Sequence, residues 1–559
     1  MVERFLNFFQ REFNGLHEAA LLLGISAVLS QILALIRDRL LAVSFGAGSE
    51  LDIYYAAFRL PDILYVFLGS FVSVTVVLPF LTRHLERGDW AAGSRLLSDL
   101  GRHFLILMLV AMTVGYIFMP QLLNLVAPGF TASASSELLV LSRILLLSPF
   151  LLGLSNLLAN ITQSSRKFFL YALSPILYNL GIIAGIVFFY PSFGLAGLAW
   201  GVALGAFLHL AIQWPALARS RLALSLTGAS SGEWRKIFLL AWPRTLALSV
   251  HQLTILALVA LASYLAAGAI AVFTFAYNLQ AVLLSVIGVS YSVAAFPTLV
   301  RLFANGDRPK FVTQVVTAAR HIIFWSLPAV ALFIVLRAQI VRVILGAGRF
   351  NWEDTRLTAA ALAIFLVSVV AQSLILLFVR GYYAGGRTRK PLMINVLSAI
   401  LTIFLAVGLS RLLTVWPAAE LGLARLLRVA DVGGMELLVL PLAFTIGALV
   451  NLTIFWRSFR RDFGAFPPLL YRSVGQSALA ALAAGGGAYL ILQLLAPVLV
   501  QSTFWGIFNQ GWLAGVGGIA AAVFVLRRLG NEEMTEISRS FRKKFWQRAQ
   551  PVLPAAEEL

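Results

Sequence analysis

Four charged residues stand close together in the apolar amino-terminal part of this sequence. Arg37 and Asp38 are adjacent. A planar guanidinium can bind a phosphate through two parallel hydrogen bonds, so Arg37 is a candidate ligand for an anion. It could equally be an interface arginine that extends toward water and pairs with Asp38. The other two, Asp52 and Arg59, are seven residues apart and therefore share one face of a helix.

Charged side chains within membrane spans usually face a cavity or one another. Asp52 and Arg59 are therefore either an internal ion pair or contacts for a substrate. Arg59 can also pair with Asp62, three residues further along the same helix.

Three further polar residues are candidates for a binding site. Gln31 and Asn278 lie within apolar stretches and could bind hydroxyl groups of a ligand, or hydrogen-bond across helices. Arg244 follows Pro243 and could supply a cation to a cavity. Its position also fits the general excess of basic residues at cytoplasmic helix ends.

The residue types needed for covalent chemistry are missing or scattered. Cysteine is absent, and the six histidines show no paired spacing, so we expect no disulfide, no metal site and no cofactor. No Ser/His/Asp order, carboxylate pair or glycine-rich phosphate loop stands out, so an enzyme is not predicted. The net charge of +19 is dispersed among apolar stretches, which is not the basic patch that nucleic-acid binding requires.

Composition indicates an integral membrane protein. Hydrophobic residues make up 60% of the 559 residues, and charged residues only 12%, against about 25% in soluble domains. Apolar stretches long enough to cross a bilayer recur between residues 16 and 526, which predicts an all-α polytopic protein of about fourteen transmembrane helices. Most Lys and Arg residues fall in alternate loops, which predicts that both termini are cytoplasmic.

The two ends of the chain look amphipathic. Residues 1–15 mix charged and phenylalanine side chains and are predicted to form a lead-in on the membrane surface. In the tail, residues 530–559, one helical face carries Met534, Ile537, Phe541 and Phe545 and is surrounded by basic residues. This pattern predicts a cytoplasmic helix on the inner leaflet, with a soluble partner as the alternative.

An internal repeat organises the spans. Pro79 and the Gly-Asp pair that ends at Asp89 recur as Pro297 and a Gly-Asp pair that ends at Asp307, at one offset of 218 residues. Six spans separate the copies, so both have the same orientation. We therefore expect two parallel six-helix lobes, 16–218 and 219–460, which enclose a central cavity and give alternating access. Two extra C-terminal helices occupy 461–529.

An ordered set of short motifs resembles the MurJ (MviN) family of lipid II flippases, within the multidrug/oligosaccharidyl-lipid/polysaccharide exporter superfamily. The resemblance covers roughly residues 20 to 460. It is carried by Arg37-Asp38, the F-G-A-G at 45–48, Asp52, the A-F-R-L-P at 57–61, the A-P-G-F at 127–130, the S-P-I-L-Y-N at 174–179, the G-R-F at 348–350, Tyr382-Tyr383 and the T-R-K-P at 388–391.

The sequence departs from the family at several positions. The family has three cavity arginines that bind the diphosphate of its substrate. At the corresponding positions this sequence has Gln31, the Tyr65-Val66 pair and the Tyr277-Asn278 pair. Arg37 is retained, and Arg59 matches a family Lys or Arg. An Asn and Asp pair implicated in sodium binding in some members corresponds to Thr402 and Ala406.

The resemblance implies a flippase in the bacterial inner membrane. Its substrate would be a lipid-linked sugar diphosphate, the peptidoglycan precursor lipid II, moved to the outer leaflet. The missing arginines leave two alternatives open: another polyprenyl-linked oligosaccharide or glycolipid, or a non-transporting scaffold with the same fold. Partners would be membrane lipids and proteins of cell-envelope synthesis, with no nucleic acid. A membrane glycosyltransferase would need a reactive carboxylate or metal site, which the sequence does not offer.

Overall fold

The computed structural model describes residues 16–165, 167–218, 220–225, 232–500 and 503–546. The predicted amino-terminal lead-in and the end of the tail lie outside these residues. The described part is helical throughout its long segments, with no strand. The prediction of an all-α fold is therefore confirmed.

The first seven helices bring the chain to residue 262. They are α1 (Leu16–Phe45), α2 (Ser49–Ala57, Arg59–Leu64, a π-helical turn Tyr65–Gly69 and Val74–Glu86), α3 (Trp90–Ile117), α4 (Ala132–Ser164), α5 (Phe168–Phe193), α6 (Leu195–Ala218) and α7 (Glu233–Ala262). A short helix, Met119–Val126, connects α3 to α4.

Eight more helices follow. They are α8 (Ala269–Ala304), α9 (Arg308–Val335), α10 (Trp352–Ala384), α11 (Arg389–Val415), α12 (Met435–Phe463), α13 (Leu469–Leu495), α14 (Phe504–Arg528) and α15 (Glu532–Trp546). Two short helices, Arg337–Ile344 and Pro417–Leu427, flank α10 and α11.

Twelve helices of the described chain, α3 to α14, are long and apolar enough to cross a membrane. The chain is therefore a multi-pass membrane protein. The first two of the fourteen predicted spans correspond to α1 and α2. In α2 the chain is divided at Phe58 and again at residues 70–73, so none of its segments reaches 18 residues. The fourteen-helix prediction is consistent with this arrangement.

The predicted repeat reappears in local structure at the same offset. Gly88 and Gly306 have φ of 73° and 74°, and each precedes an aspartate that caps a 28-residue helix. Asp89 accepts a hydrogen bond from the amide of Ala92 at 2.8 Å, and Asp307 accepts one from the amide of Lys310 at 3.1 Å. Each long helix is followed by an eight-residue helix. The division into two lobes at residue 218 stays a prediction.

The contacts of the chain define two compact units. The first comprises residues 1–278, 344–361 and 388–447, and the second comprises 279–343, 362–387 and 448–559. Helices α8, α10 and α12 each contribute to both units.

Within the first unit, α5 and α6 touch backbone to backbone. A Cβ added at Gly181 would lie 2.3 Å from the Cα of Gly205, and one at Gly185 would lie 2.5 Å from the Cα of Gly201. Real Cβ atoms do not approach this closely. Four glycines at helical spacing therefore bring the two helix axes together, as small residues do in other membrane helix pairs.

Within the second unit, α15 docks on α9 and α13. The Nε of Arg320 donates to Glu533 at 2.6 Å, and Ser473 donates to the same carboxylate at 2.7 Å. Glu533 is only 2% exposed. The side chains of Met534 and Ile537 pack against a cluster of buried residues from α9, α13 and α14. This half of the predicted apolar stripe therefore faces protein, while the side chains of Phe541 and Phe545 lie outside the described part.

Candidate functional site

The first compact unit contains a cavity of about 300 Å³. Helices α1, α2, α5, α7 and α8 supply its walls. Its polar lining consists of Arg37, Tyr54, Tyr55, Arg59, Asp62, Tyr178, His251, Gln252, Thr274, Tyr277 and Asn278. Four of these residues are among those predicted from the sequence to act at a binding site or to pair there, and the structure brings them to one cavity although 241 residues separate the first from the last.

Asp38 joins two of the predicted residues. Its Oδ1 accepts hydrogen bonds from the Nε and one terminal nitrogen of Arg37, at 3.0 and 2.8 Å. Its Oδ2 accepts a hydrogen bond from the amide of Asn278 at 3.2 Å. Asp38 is 5% exposed, so this carboxylate is a buried link between α1 and α8, and it neutralises the arginine beside it.

Asn179 holds the other side of the Arg37 guanidinium. Its Oδ1 accepts from the remaining terminal nitrogen at 3.2 Å. The Nδ2 of Asn179 donates to the carbonyl of Pro175 at 3.0 Å and to the hydroxyl of Ser30 at 3.3 Å. Arg37 is therefore fixed from both sides, which gives its free N–H groups a defined direction.

Arg59 is placed differently. It lines the cavity, and its Nε is buried without a hydrogen-bond partner among the described residues. The Tyr55 hydroxyl and the Thr274 hydroxyl are also buried and unpartnered there. Buried polar groups are normally satisfied, so these donors point to a ligand that carries hydrogen-bond acceptors.

Asp52 does not contribute to this cavity. Its carboxylate accepts hydrogen bonds from the backbone amides of Gly268 and Ala271, at 2.6 and 2.8 Å, where α8 begins. Asp52 is 4% exposed. Although Asp52 and Arg59 were predicted to share a helix face, the aspartate acts on backbone amides, and its contacts are those of a helix cap.

The remaining candidates lie apart from the cavity or outside the described side chains. Gln31 is exposed on α1 and is not among the cavity-lining residues. Arg244 lies in α7, but its side chain belongs to the part that the structure does not describe. Thr402 and Ala406 are buried in α11, and the Thr402 hydroxyl donates to the carbonyl of Ser398.

Two positions where the resemblance implied arginine carry neutral tyrosine side chains. The Tyr65 hydroxyl accepts a hydrogen bond from Asn156 at 3.0 Å. The Tyr277 hydroxyl lies 2.8 Å from Nε2 of His251 on the cavity wall. Neither can neutralise a phosphate. Among the described lining residues the cavity has two arginines and the carboxylate of Asp62, and Arg37 is already paired with Asp38.

The arrangement suits the binding of an anion. In the described residues no group of three or more His, Asp or Glu side chains could hold a metal ion. A fixed guanidinium, a second one with an unpartnered donor, and several hydroxyl groups together match an anion bearing many oxygen acceptors.

Sequence reasoning missed Asn179, which holds Arg37, and several residues that line the cavity. Asn179 stands in one of the motifs quoted above, yet its contact with Arg37 joins positions 142 residues apart. Tyr54, His251 and Gln252 carry no local signal, because a polar or aromatic residue in a span has the same pattern whether it faces a cavity or a neighbouring helix.

Comparisons with known proteins agree with this fold. The family model for the lipid II flippase MurJ matches residues 41–509. A probable lipid II flippase MurJ of Rhizobium meliloti is 24% identical over 92% of this chain and 94% of its own length. The lipid II flippase MurJ of Burkholderia cenocepacia is 23% identical over 69% of this chain and 77% of its own.

Solved structures show the same architecture. A lipid II flippase MurJ in an inward closed conformation matches with a TM-score of 0.71 and 19% identity, covering 91% of this chain and 99% of that one. An inward-facing multidrug resistance transporter of the MATE family, in the MOP superfamily, matches with a TM-score of 0.63 and 16% identity, covering 78% and 94%.

Proposed function

The chain belongs to the family of the lipid II flippase MurJ, and we propose that it moves lipid II from the inner to the outer leaflet by alternating access. The observation that carries this proposal for the site is the cavity that holds Arg37 and Arg59. The diphosphate headgroup would enter this cavity, and the polyprenyl tail would stay in lipid. As a flippase, the protein transports its substrate without changing it chemically.

The two arginines have different tasks in this proposal. An unpaired diphosphate cannot enter hydrocarbon without compensating charges and hydrogen bonds. Arg59 offers an unpartnered donor and binds the headgroup directly. Arg37 keeps free N–H groups beyond those that Asp38 and Asn179 occupy, and Asp38 and Asn179 orient it.

The direction of transport follows from charge. If both termini are cytoplasmic and the protein lies in the bacterial inner membrane, an inside-negative potential favours outward movement of an anion. The gain is about 2.3 kcal/mol per charge for each 100 mV. No cofactor is needed for this step.

A second cargo deserves a test because the cavity has Asn278 at a position where the resemblance implied arginine, and the other two such positions, Gln31 and Tyr65, also carry neutral residues. Another polyprenyl-linked oligosaccharide, with fewer or differently placed negative charges, would suit such a cavity. A scaffold for cell-envelope enzymes would need no transport at all.

One experiment separates these functions. A bacterium is depleted of its own lipid II flippase and supplied with this chain, and lipid II exposure at the outer face is measured with an impermeant reagent that cleaves the diphosphate. Restored growth and restored cleavage support lipid II transport. Failure of both in cells with inserted protein contradicts it. Purified protein in vesicles with other polyprenyl-linked glycans then tests the second cargo, and transport of none supports the scaffold.

A further inference from the structure

Arg143 lies in α4, and several residues close to it or to its partner Tyr116 in the sequence are apolar and exposed. Within three residues of Tyr116 or Arg143 in the sequence, the exposed apolar side chains are Val114, Ile117, Phe118 and Val140, each about half exposed. In a membrane protein such a surface faces acyl chains. A cation in this position needs an anionic partner, because a lone charge is costly in hydrocarbon.

The described residues supply Arg143 with an aromatic ring but with no carboxylate. The guanidinium carbon of Arg143 lies 4.4 Å from the centroid of the Tyr116 ring, and Tyr116 is 52% exposed. The Nε of Arg143 is buried without a hydrogen-bond partner, and no ion pair forms with it among the described residues. By contrast, Arg320 and Arg356 each have a carboxylate partner.

The backbone of Arg143 lies roughly 6 Å inside the hydrocarbon boundary, so only its long side chain can reach the level of the lipid phosphates. Helix α4 has 33 residues, so it is roughly 50 Å long and exceeds the about 30 Å of hydrocarbon. If the excess is shared between the ends, roughly 10 Å extend beyond the hydrocarbon on each side. Arg143 is 11 residues from Ala132, roughly 16 Å along the helix. A long arginine side chain at this depth extends to the headgroups.

We propose that Arg143 and Tyr116 form a binding site for the phosphate of a membrane lipid. The ring holds the guanidinium by a cation–π contact, and the guanidinium edges donate to phosphate oxygens. Two lipids share this chemistry, a phospholipid such as phosphatidylglycerol and a polyprenyl phosphate. The site lies outside the Arg37 cavity, and its binding test does not depend on transport.

Lipid retention by the full-length protein tests the site. The protein, purified in a neutral sugar detergent, is mixed with phosphatidylglycerol, with undecaprenyl phosphate or with diacylglycerol, which lacks phosphate. Bound lipid is then counted by native mass spectrometry. The wild type should retain the phosphate lipids and not diacylglycerol. Arg143→Gln should weaken retention about tenfold or more, the value of a charge-assisted hydrogen bond.

Matched variants keep the test decisive. Arg301→Gln, which changes an exposed arginine at the end of α8, should leave retention unchanged. Tyr116→Leu keeps the charge and should weaken retention severalfold. If Arg143→Gln does not fold, the wild type alone decides, because equal retention of diacylglycerol and both phosphate lipids would overturn the proposal. Equal retention by wild type and Arg143→Gln would also overturn it. Loss confined to one phosphate lipid would identify which lipid the site holds.

Discussion

Asn278 donates a hydrogen bond to Asp38 across 3.2 Å, and through it α8 is tied to the same carboxylate that neutralises Arg37. This link places an anion between a cation and a neutral donor, both of which line the cavity. The charge of Arg37 is therefore not fully available to a ligand, and the effect of each substitution depends on what it leaves behind.

We expect Arg37→Ala to lower lipid II transport by at least tenfold. The variant removes a charge-assisted hydrogen bond, worth about 1.5–3 kcal/mol, and leaves the Asp38 carboxylate to repel the diphosphate. The double variant with Asp38→Ala should recover part of the loss. Arg37→Lys should rescue only partly, because a point charge lacks the bidentate fork. Transport per inserted molecule in vesicles is the measurement, and normal transport by Arg37→Ala would refute the site.

Arg59→Gln should also reduce transport by about tenfold or more, because its Nε is the charged donor of the cavity that has no hydrogen-bond partner among the described residues. Tyr55→Phe, which removes one neutral hydroxyl, should have a smaller effect. Comparing substrate binding with turnover shows whether Arg59 acts on the bound headgroup. Equal, small effects of both variants would argue against direct binding.

Asp52→Ala should destabilise the protein more than it alters transport by the folded fraction. The change leaves the amides of Gly268 and Ala271 without their acceptor, at about 1–3 kcal/mol for each unsatisfied buried group. Thermal unfolding in detergent measures the effect. Asp89→Ala removes an exposed cap and should cost less, about 1 kcal/mol. A larger loss of stability in Asp89→Ala than in Asp52→Ala would contradict this assignment.

The docking of α15 on α9 and α13 should weaken at acid pH. Burial alone would raise the pKa of Glu533, but hydrogen bonds from Ser473 and Arg320 outweigh it and hold this pKa below its usual range. Stabilisation by Glu533 is therefore present at neutral pH and lost as the pH falls below about 4. Hydrogen exchange in residues 532–539 should increase over that range. In Ser473→Ala, which removes one of the two bonds, the increase should begin at higher pH; an unchanged profile would count against the contact.

Reporter fusions test the orientation. A fusion after residue 130, in the loop before α4, should report the outer side, and one at residue 559 should report the cytoplasm, because basic residues gather in the alternate loops. Two fusions on the same side would exclude the proposed topology.

Much of the fold could be predicted from the sequence because bilayer thickness dictates the length of an apolar helix. The recurrence of Pro79 at Pro297 correctly indicated matching local structure. The break of α2 at Phe58 has a signal in the sequence, because Pro61 cannot donate to the carbonyl of Ala57 and its ring crowds that carbonyl. The π-helical turn that follows has no comparable signal.

The sequence predicted the residues of the site only where the contacts are made between side chains. Arg37, Asp38, Arg59 and Asn278 reach the cavity or its wall, as charged and amide groups in spans usually do. The role of Asp52 was not predictable, because its partners are backbone amides that any residue would present. Gln31, like Asn278, is an amide side chain within an apolar helix, yet Gln31 is exposed. The position of a residue around the helix axis decides which way its side chain faces.

The glycine contact between α5 and α6 limits how this transporter can bend. With Gly181 on Gly205 and Gly185 on Gly201, the two backbones have no layer of side chains between them that could re-pack during a sliding motion. The pair must travel as one rigid body. Asn179 lies in α5 and accepts a hydrogen bond from Arg37. A movement of this rigid body therefore moves the Arg37 side chain directly. Opening of the cavity must therefore take place at other helix interfaces, where larger side chains leave room for shear.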